Sequence, residues 1–270
     1  MAPLPYTLTG PIGAVASLGL IVLQADEVIE QDFRRLFPPG RVAVYVTRIP
    51  SGADLTAATL GAMEAALPAA ARLLPPSIDF AAVGYACTSG ATVIGPARVA
   101  ELVRGSVKTA AVTEPLSALL AAVRTLGVRR VGLISPYVAE VSAALRAALE
   151  AAGHEVAAFA SFEEQVEARV ARIAPASIRA AALAIGARPE VDAVLLSCTN
   201  LRTLDVIDEV EQALGKPVVS SNQALAWQMA RLAAVGPLAR AYGNLMSFHT
   251  GTESSSCSSP VQPAPQSGAR

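Results

Sequence analysis

The sequence predicts an α/β protein of two pseudo-symmetric lobes, each a four-stranded parallel sheet flanked by helices, with an active-site cleft between them. Three observations carry that prediction. Apolar runs of strand length alternate with stretches of helix length, which implies parallel sheets with right-handed crossovers. Leu18-Gly19-Leu20-Ile21 is echoed by Val131-Gly132-Leu133-Ile134, an offset of 113 positions. Two further apolar runs, Ala82-Val83-Gly84-Tyr85-Ala86-Cys87-Thr88 and Ala193-Val194-Leu195-Leu196-Ser197-Cys198-Thr199, each end in Cys-Thr, and their cysteines lie 111 positions apart.

Taken in order, strands are expected at 17–23, 42–47, 80–86 and 109–112 in the first half, and at 129–135, 155–160, 192–197 and 217–220 in the second. Helices fill the intervals. Thr113-Glu114-Pro115 offers a cap, an acidic first turn and an early proline, with Gly127 closing that helix; Gly153 and Gly215 close two others. Trp227 sits at helical spacing with Leu225, Met229 and Leu232, which assigns it to the core. The first lobe is expected to take residues 15–115, closed by 221–240, and the second 116–220. The Ser- and Pro-rich segment 250–270 is too polar to pack and is expected to be disordered, which leaves Cys257 outside the chemistry.

Composition narrows the function. A chain of 270 residues with 53% hydrophobic content holds one or two sizeable cores, which excludes a fibrous or disordered protein. A net charge of −1 with scattered Lys and Arg gives no basic face for nucleic acid or a membrane surface. A small carboxylate is the expected partner, and the Ala-rich helices leave room for a homodimer face. The segment from Pro11 to Ala25 is apolar, but the first positive charge is Arg34, so a secretory signal is not expected and the location is read as cytoplasmic. Three cysteines without Cys-x-x-Cys spacing point away from disulfides and structural zinc. The two histidines, His154 and His249, read as solvated surface imidazoles, so metal and histidine mechanisms are not expected. No Gly-rich phosphate loop follows the first strand of either half, and no cofactor is expected.

Cys87 and Cys198 close equivalent strands at the carboxyl edge, where open α/β sheets place their ligands. Apposed lobes would bring the two thiols to one ligand from opposite sides. Both stand ahead of an expected helix, whose amino-terminal end lowers a thiol pKa from about 8.5, so one thiolate and one thiol are expected. Thr88, Ser89, Thr199 and Asn200, with the backbone N–H groups of the same turns, supply neutral donors for a carboxylate or a developing enolate. Asp26 is expected to line the cleft from the matching loop of the first lobe, and Tyr137 from the equivalent strand end of the second. Asn222, beside Ser221, either binds ligand or caps a helix. Arg48 either neutralises a substrate carboxylate or pairs with Asp26 or Glu27.

Two chemistries fit such a pair. In one, a thiolate removes a proton next to a carboxylate and the opposite thiol returns one to the other face. In the other, a thiolate adds to an activated alkene, the new single bond rotates, and elimination gives the other geometric isomer. A non-catalytic two-lobed binding protein is the alternative from another class.

Ala-Cys-Thr-Ser-Gly at 86–90, Ser-Pro-Tyr at 135–137 and Ser-Cys-Thr-Asn at 197–200 resemble the Asp/Glu racemase superfamily. The similarity spans about residues 15–235 and is greatest to the branch of maleate cis-trans isomerases, arylmalonate decarboxylases and racemase-like ectoine-utilisation proteins. Tyr45-Val46-Thr47-Arg48-Ile49-Pro50 and Val219-Ser220-Ser221-Asn222-Gln223-Ala224 resemble the ectoine-utilisation group in particular. The resemblance implies that Cys87 and Cys198 are the catalytic pair of a cofactor-independent isomerase or racemase. It implies further that Cys87 adds to the alkene, that Cys198 assists proton transfer, and that Tyr137 holds a substrate carboxylate. Arylmalonate decarboxylases keep only the second cysteine, so the pair favours an isomerase or racemase, with an amino-acid or hydantoin racemase as the runner-up. Two binding asparagines of the maleate isomerases fall at Asp26 and at about Ala168. An acidic residue at position 26 points away from a dicarboxylate, towards a substrate with a cationic or hydrogen-bond-donating group.

Overall fold

β1 (Ala16–Leu23) is buried at every residue, the mark of a parallel strand covered on both faces. In the computed structural model, which describes residues 3–37, 39–52, 57–236, 238 and 242–248, the chain continues through α1 (Ile29–Leu36), β2 (Val42–Ile49), α2 (Ala57–Ala71), β3 (Phe80–Ala86), α3 (Thr88–Ile94), α4 (Pro96–Arg104) and β4 (Thr109–Thr113). The second series is α5 (Pro115–Thr125), β5 (Arg130–Tyr137), α6 (Ala139–Ala151), β6 (Glu155–Glu164), α7 (Glu167–Val170), α8 (Pro175–Gly186), β7 (Ala193–Leu196), α9 (Leu204–Leu214), β8 (Val218–Ser220) and α10 (Ser221–Leu232). His249, Cys257 and the segment 250–270 lie outside the described residues.

The strands form two parallel four-stranded sheets of identical order, β2-β1-β3-β4 and β6-β5-β7-β8. Chain direction across each sheet reverses between its two central strands, and this switch point is where the crevice at the carboxyl edge opens. Asp26 follows β1 and Cys87 follows β3 in one sheet; Tyr137 ends β5 and Cys198 follows β7 in the other. The four residues therefore occupy the two corresponding switch points.

The repeated glycines have a shared packing reason. A Cβ on Gly19 would lie 2.9 Å from Leu74 Cδ1, and one on Gly132 would overlap Ile185 Cγ2. Each central strand thus lets a neighbouring apolar side chain lie directly on its backbone.

Several local expectations need correction. β6 runs to Glu164 because its ladder with β5 continues, through two register shifts, to the Tyr137–Glu164 pair. Glu114 rather than Thr113 caps α5, its carboxylate accepting from the Leu116 and Ser117 N–H groups. Ser220 rather than Ser221 or Asn222 caps α10, in a reciprocal box with Gln223. His154 is buried, with Nδ1 3.0 Å from Val128 O, because the residue after Gly153 turns inward to start β6. Trp227 is buried and donates from Nε1 to Phe248 O at 2.8 Å.

α10 packs against α5, β3, β4 and α1 and also touches β8, so it joins the two sheets. Leu225, Ala226, Trp227 and Met229 on it belong to a core cluster that contains Leu20 and Val22 of β1 and Leu133, Leu195 and Cys198 of the second half. Cys87 belongs to a separate cluster on the other face of the first sheet, with Met63, Tyr85 and Ala91.

Candidate active site

Cys87 is the N-cap of α3, in extended conformation (φ −149°, ψ 111°), and its Sγ accepts the Gly90 N–H at 3.2 Å. Only glycine fits at 90: a Cβ there would lie 2.5 Å from Tyr85 Oη and 3.0 Å from Cys87 Sγ. The Tyr85 hydroxyl hydrogen-bonds the thiol and also meets Met63 Sδ at 3.4 Å. Burial pushes the Cys87 pKa up to about 12; the Gly90 N–H and Tyr85 pull it down, and the carboxylates of Glu167 and Asp26 push it further up.

Cys198 lacks the helix expected after it. A turn at Thr199-Asn200 follows, and α9 begins only at Leu204. The Asn200 N–H donates to Cys198 Sγ at 3.2 Å, and Tyr137 Oη stands 2.8 Å from the same sulfur. That hydroxyl donates to Glu167 Oε2 at 2.9 Å, while Asn200 Nδ2 donates to Glu167 Oε1 at 3.0 Å and to the Glu167 carbonyl at 3.1 Å. Burial first, and Glu167 second, holds the Cys198 thiol well above the usual range. Burial and these carboxylates thus favour the neutral thiol at both positions, against the thiolate that the sequence suggests. Desolvation and two facing carboxylates outweigh the few N–H groups that a short helix or a turn provides.

Asp26 divides its carboxylate. Oδ1 accepts the N–H groups of Val28 and Ile29 at 2.8 and 2.9 Å, which starts α1, while Oδ2 is buried with no hydrogen bond of ordinary geometry among the described residues. Burial raises its pKa against the pull of those N–H groups, Thr199 and Arg48. Arg48 braces the loop instead of facing a ligand: it donates to the carbonyls of Leu23, Gln24 and Asp26 and pairs with Glu30. Glu27 pairs with Arg172 at 2.7 Å.

Polar contacts stitch the two Cys-Thr turns together. Thr199 Oγ1 donates to Ala86 O at 3.4 Å, so the residue after one cysteine reaches the residue before the other. Thr88 Oγ1 lies 3.0 Å from Ser221 Oγ at the start of α10. Asn200 Oδ1 accepts the Glu27 N–H at 2.9 Å, tying the loop after β1 to the second sheet. Asn222 Nδ2 donates to Thr199 O at 2.9 Å and to Asp32 Oδ2 at 2.8 Å. Of the expected donors, Asn200, Asn222 and Thr88 direct their side chains at protein partners, because each bridges two elements; Ser89 is half-buried. The two sulfurs, although each has its own apolar cluster, share a polar seam in which Glu167 and Asp26 act on both.

Glu167 is the residue that sequence reasoning missed. The resemblance places a binding residue at about Ala168, but the buried group against Tyr137 is its neighbour. Glu163 and Glu164 at the end of β6 and Glu167 at the start of α7 lie within five positions, and no periodicity says which of them turns inward.

The arylmalonate decarboxylase family model matches residues 106–246, just over half of the chain. The chain belongs to this family. Tyr137, Glu167 and Cys198 fall inside the matched residues, and Asp26 and Cys87 fall before them. Over 135 residues the chain is 39% identical to the arylmalonate decarboxylase of Bordetella bronchiseptica, covering 48% of this chain and 55% of that protein. It is 30% identical over 155 residues to the maleate isomerase of Nocardia farcinica, covering 54% and 61%. The chain thus spans little more than half the length of these two relatives.

Solved structures match over nearly their whole length. A liganded double mutant of arylmalonate decarboxylase, in which a glycine is replaced by cysteine and a cysteine by serine, superposes with a TM-score of 0.76 at 30% identity, covering 85% of this chain and 98% of that one. The fold is also that of a cysteine-to-serine mutant of Nocardia farcinica maleate cis-trans isomerase, solved with a covalently bound succinylcysteine intermediate: TM-score 0.75, 24% identity, covering 86% and 98%.

Proposed function

We propose that this member of the family is a cofactor-independent isomerase or racemase acting on a small carboxylic acid, with Cys87 and Cys198 as its reacting pair. The observation that carries the reading is the placement of the two thiols at corresponding switch points, on a seam where the same two carboxylates act on both. Proton transfer next to a carboxylate needs a thiolate on one side and a thiol on the other; alkene isomerisation needs one sulfur to form and then break an S–C bond. The maleate isomerase relative and the succinylcysteine in its namesake structure support sulfur chemistry of this kind.

Asp26 refines the substrate class. Its buried Oδ2 suits a substrate N–H donor and repels a second carboxylate. We therefore favour a racemase-like substrate bearing nitrogen, in line with the ectoine-utilisation resemblance. The free cysteines fit a reducing, cytoplasmic setting.

Decarboxylation is the second reading, favoured by the 39% identity to an arylmalonate decarboxylase. There, CO2 would leave and the Cys198 thiol would protonate the resulting enediolate. A panel of maleate, amino acids, N-acylated amino acids and an arylmalonate, incubated with the protein in deuterated water and followed by NMR, tests these readings. Deuterium at a carbon next to a carboxylate, with loss of optical purity, is the expected result. Loss of CO2 from the arylmalonate alone would replace it with the second reading. No turnover of any member would sink the enzyme assignment.

A further inference from the structure

Tyr137 carries one hydroxyl proton, and of its two neighbours the Glu167 carboxylate, with Oε2 at 2.9 Å, is the stronger acceptor. The contact between Tyr137 Oη and Cys198 Sγ, at 2.8 Å, must then be donated by the thiol, since a phenol has a single proton and its oxygen accepts. Burial raises the Glu167 pKa, while the Tyr137 and Asn200 donors at its two oxygens favour the ionised form. The result is a directed chain: Cys198 S–H to Tyr137 O–H to Glu167 carboxylate.

Resting on the two-thiol reading above, we infer that Glu167 takes the proton of Cys198 through Tyr137, so that Cys198 is the sulfur that becomes the thiolate. As the S–H bond breaks, its proton passes to Tyr137 Oη, and the Tyr137 proton passes to Glu167 Oε2. The products are a thiolate, an unchanged phenol and a neutral carboxylic acid, with both hydrogen bonds now running the other way. No electrons move between partners, and the reverse transfer restores the resting state. The transfer moves one negative charge from Glu167 to Cys198 and adds none to the seam.

Among the described residues, the opposite thiol has no such chain. The Tyr85 hydroxyl beside Cys87 leads to Met63 Sδ, which cannot accept a proton. Asp26 acts on both sulfurs through space, with Oδ1 held by Val28 and Ile29. Cys87 is thus left as the thiol that returns a proton, the reverse of the order implied by resemblance to maleate isomerases. Glu167 is a positioning residue here, acting through Tyr137, and Asn200 fixes its orientation.

Labelling with iodoacetamide at pH 7, resolved by peptide mass spectrometry, tests this on the full chain without any substrate. If Glu167 draws off the proton, Glu167→Gln slows alkylation of Cys198 by about a hundredfold, the low end for a positioned proton acceptor. Tyr137→Phe, which cuts the chain while keeping the carboxylate, slows it equally, and the double variant is no slower than either. Labelling of Cys87 is not slowed in any of the three, because losing the Glu167 charge eases its ionisation, and reports an intact fold. If Glu167 acted only through its charge, Glu167→Gln would instead ease ionisation of the thiol and speed alkylation. Equal or faster labelling of Cys198 in Glu167→Gln overturns the inference; should that variant misfold, unslowed labelling in Tyr137→Phe does the same. Failure here leaves the substrate panel untouched, and a silent panel leaves the labelling result standing.

Discussion

Replacing Cys198 with serine is expected to lower kcat by about a thousandfold or more, and Cys87→Ser to do the same, measured by steady-state turnover of whichever panel substrate reacts. A serine hydroxyl is a far weaker acid than a thiol, so it neither forms the anion nor returns a proton at a useful rate. Structure should survive the change, because the Gly90 and Asn200 N–H groups that donate to the sulfurs can donate to an oxygen in the same place. The two losses should not add: once one partner of a proton-transfer couple is gone, removing the other costs little more. Loss at Cys198 with near-parental turnover in Cys87→Ser would favour the decarboxylase reading. Near-parental turnover in both variants would rule out sulfur chemistry.

The second large effect is on stability, at Asp32. Burial raises its pKa to about 7, against the opposing pull of Asn222 and Arg35, while nearby Asp26 and Asp205 push it further up. An unfolded chain ionises the same group near pH 4. Below that value both states hold the proton and pH has no effect through this residue. Between about pH 4 and pH 7 the folded protein keeps a proton that the unfolded chain releases, so stability falls as pH rises, by on the order of 4 kcal/mol in total. Asp32→Asn removes this dependence and still offers an oxygen to Asn222 Nδ2. Urea unfolding is expected to show the variant several kcal/mol more stable than the parent at pH 8, with the gap closing by pH 4. A gap of constant size across that range would show that Asp32 titrates normally.

The architecture was legible because it is written twice. The glycine in Leu18-Gly19-Leu20 and its counterpart in Val131-Gly132-Leu133 mark the central strands through a packing demand, and the two Cys-Thr endings mark the strands beside them. Strand alternation alone then gives parallel sheets, and the switch-point rule places Asp26, Cys87, Tyr137 and Cys198 at corresponding edges. What local patterns cannot carry is partnership across the interface. Asn200 and Asn222 read as donors waiting for a ligand, yet they tie α7 and α1 to the turn after β7. Glu167 gives no signal because its role depends on Tyr137, thirty positions earlier, and on Asn200, thirty-three later. The thiol pKa values escape sequence reading for the same reason: the helix terminus after Cys87 is visible in sequence, but the buried carboxylates opposite it are not.

The central claim is that both thiols face one bound acid. The most direct measurement is iodoacetamide labelling of the wild-type protein, peptide by peptide, across a titration with the substrate that the panel identifies. Cys87 and Cys198 should become protected together, with a single shared midpoint. Protection of one sulfur alone, or of each at a different concentration, would contradict the account.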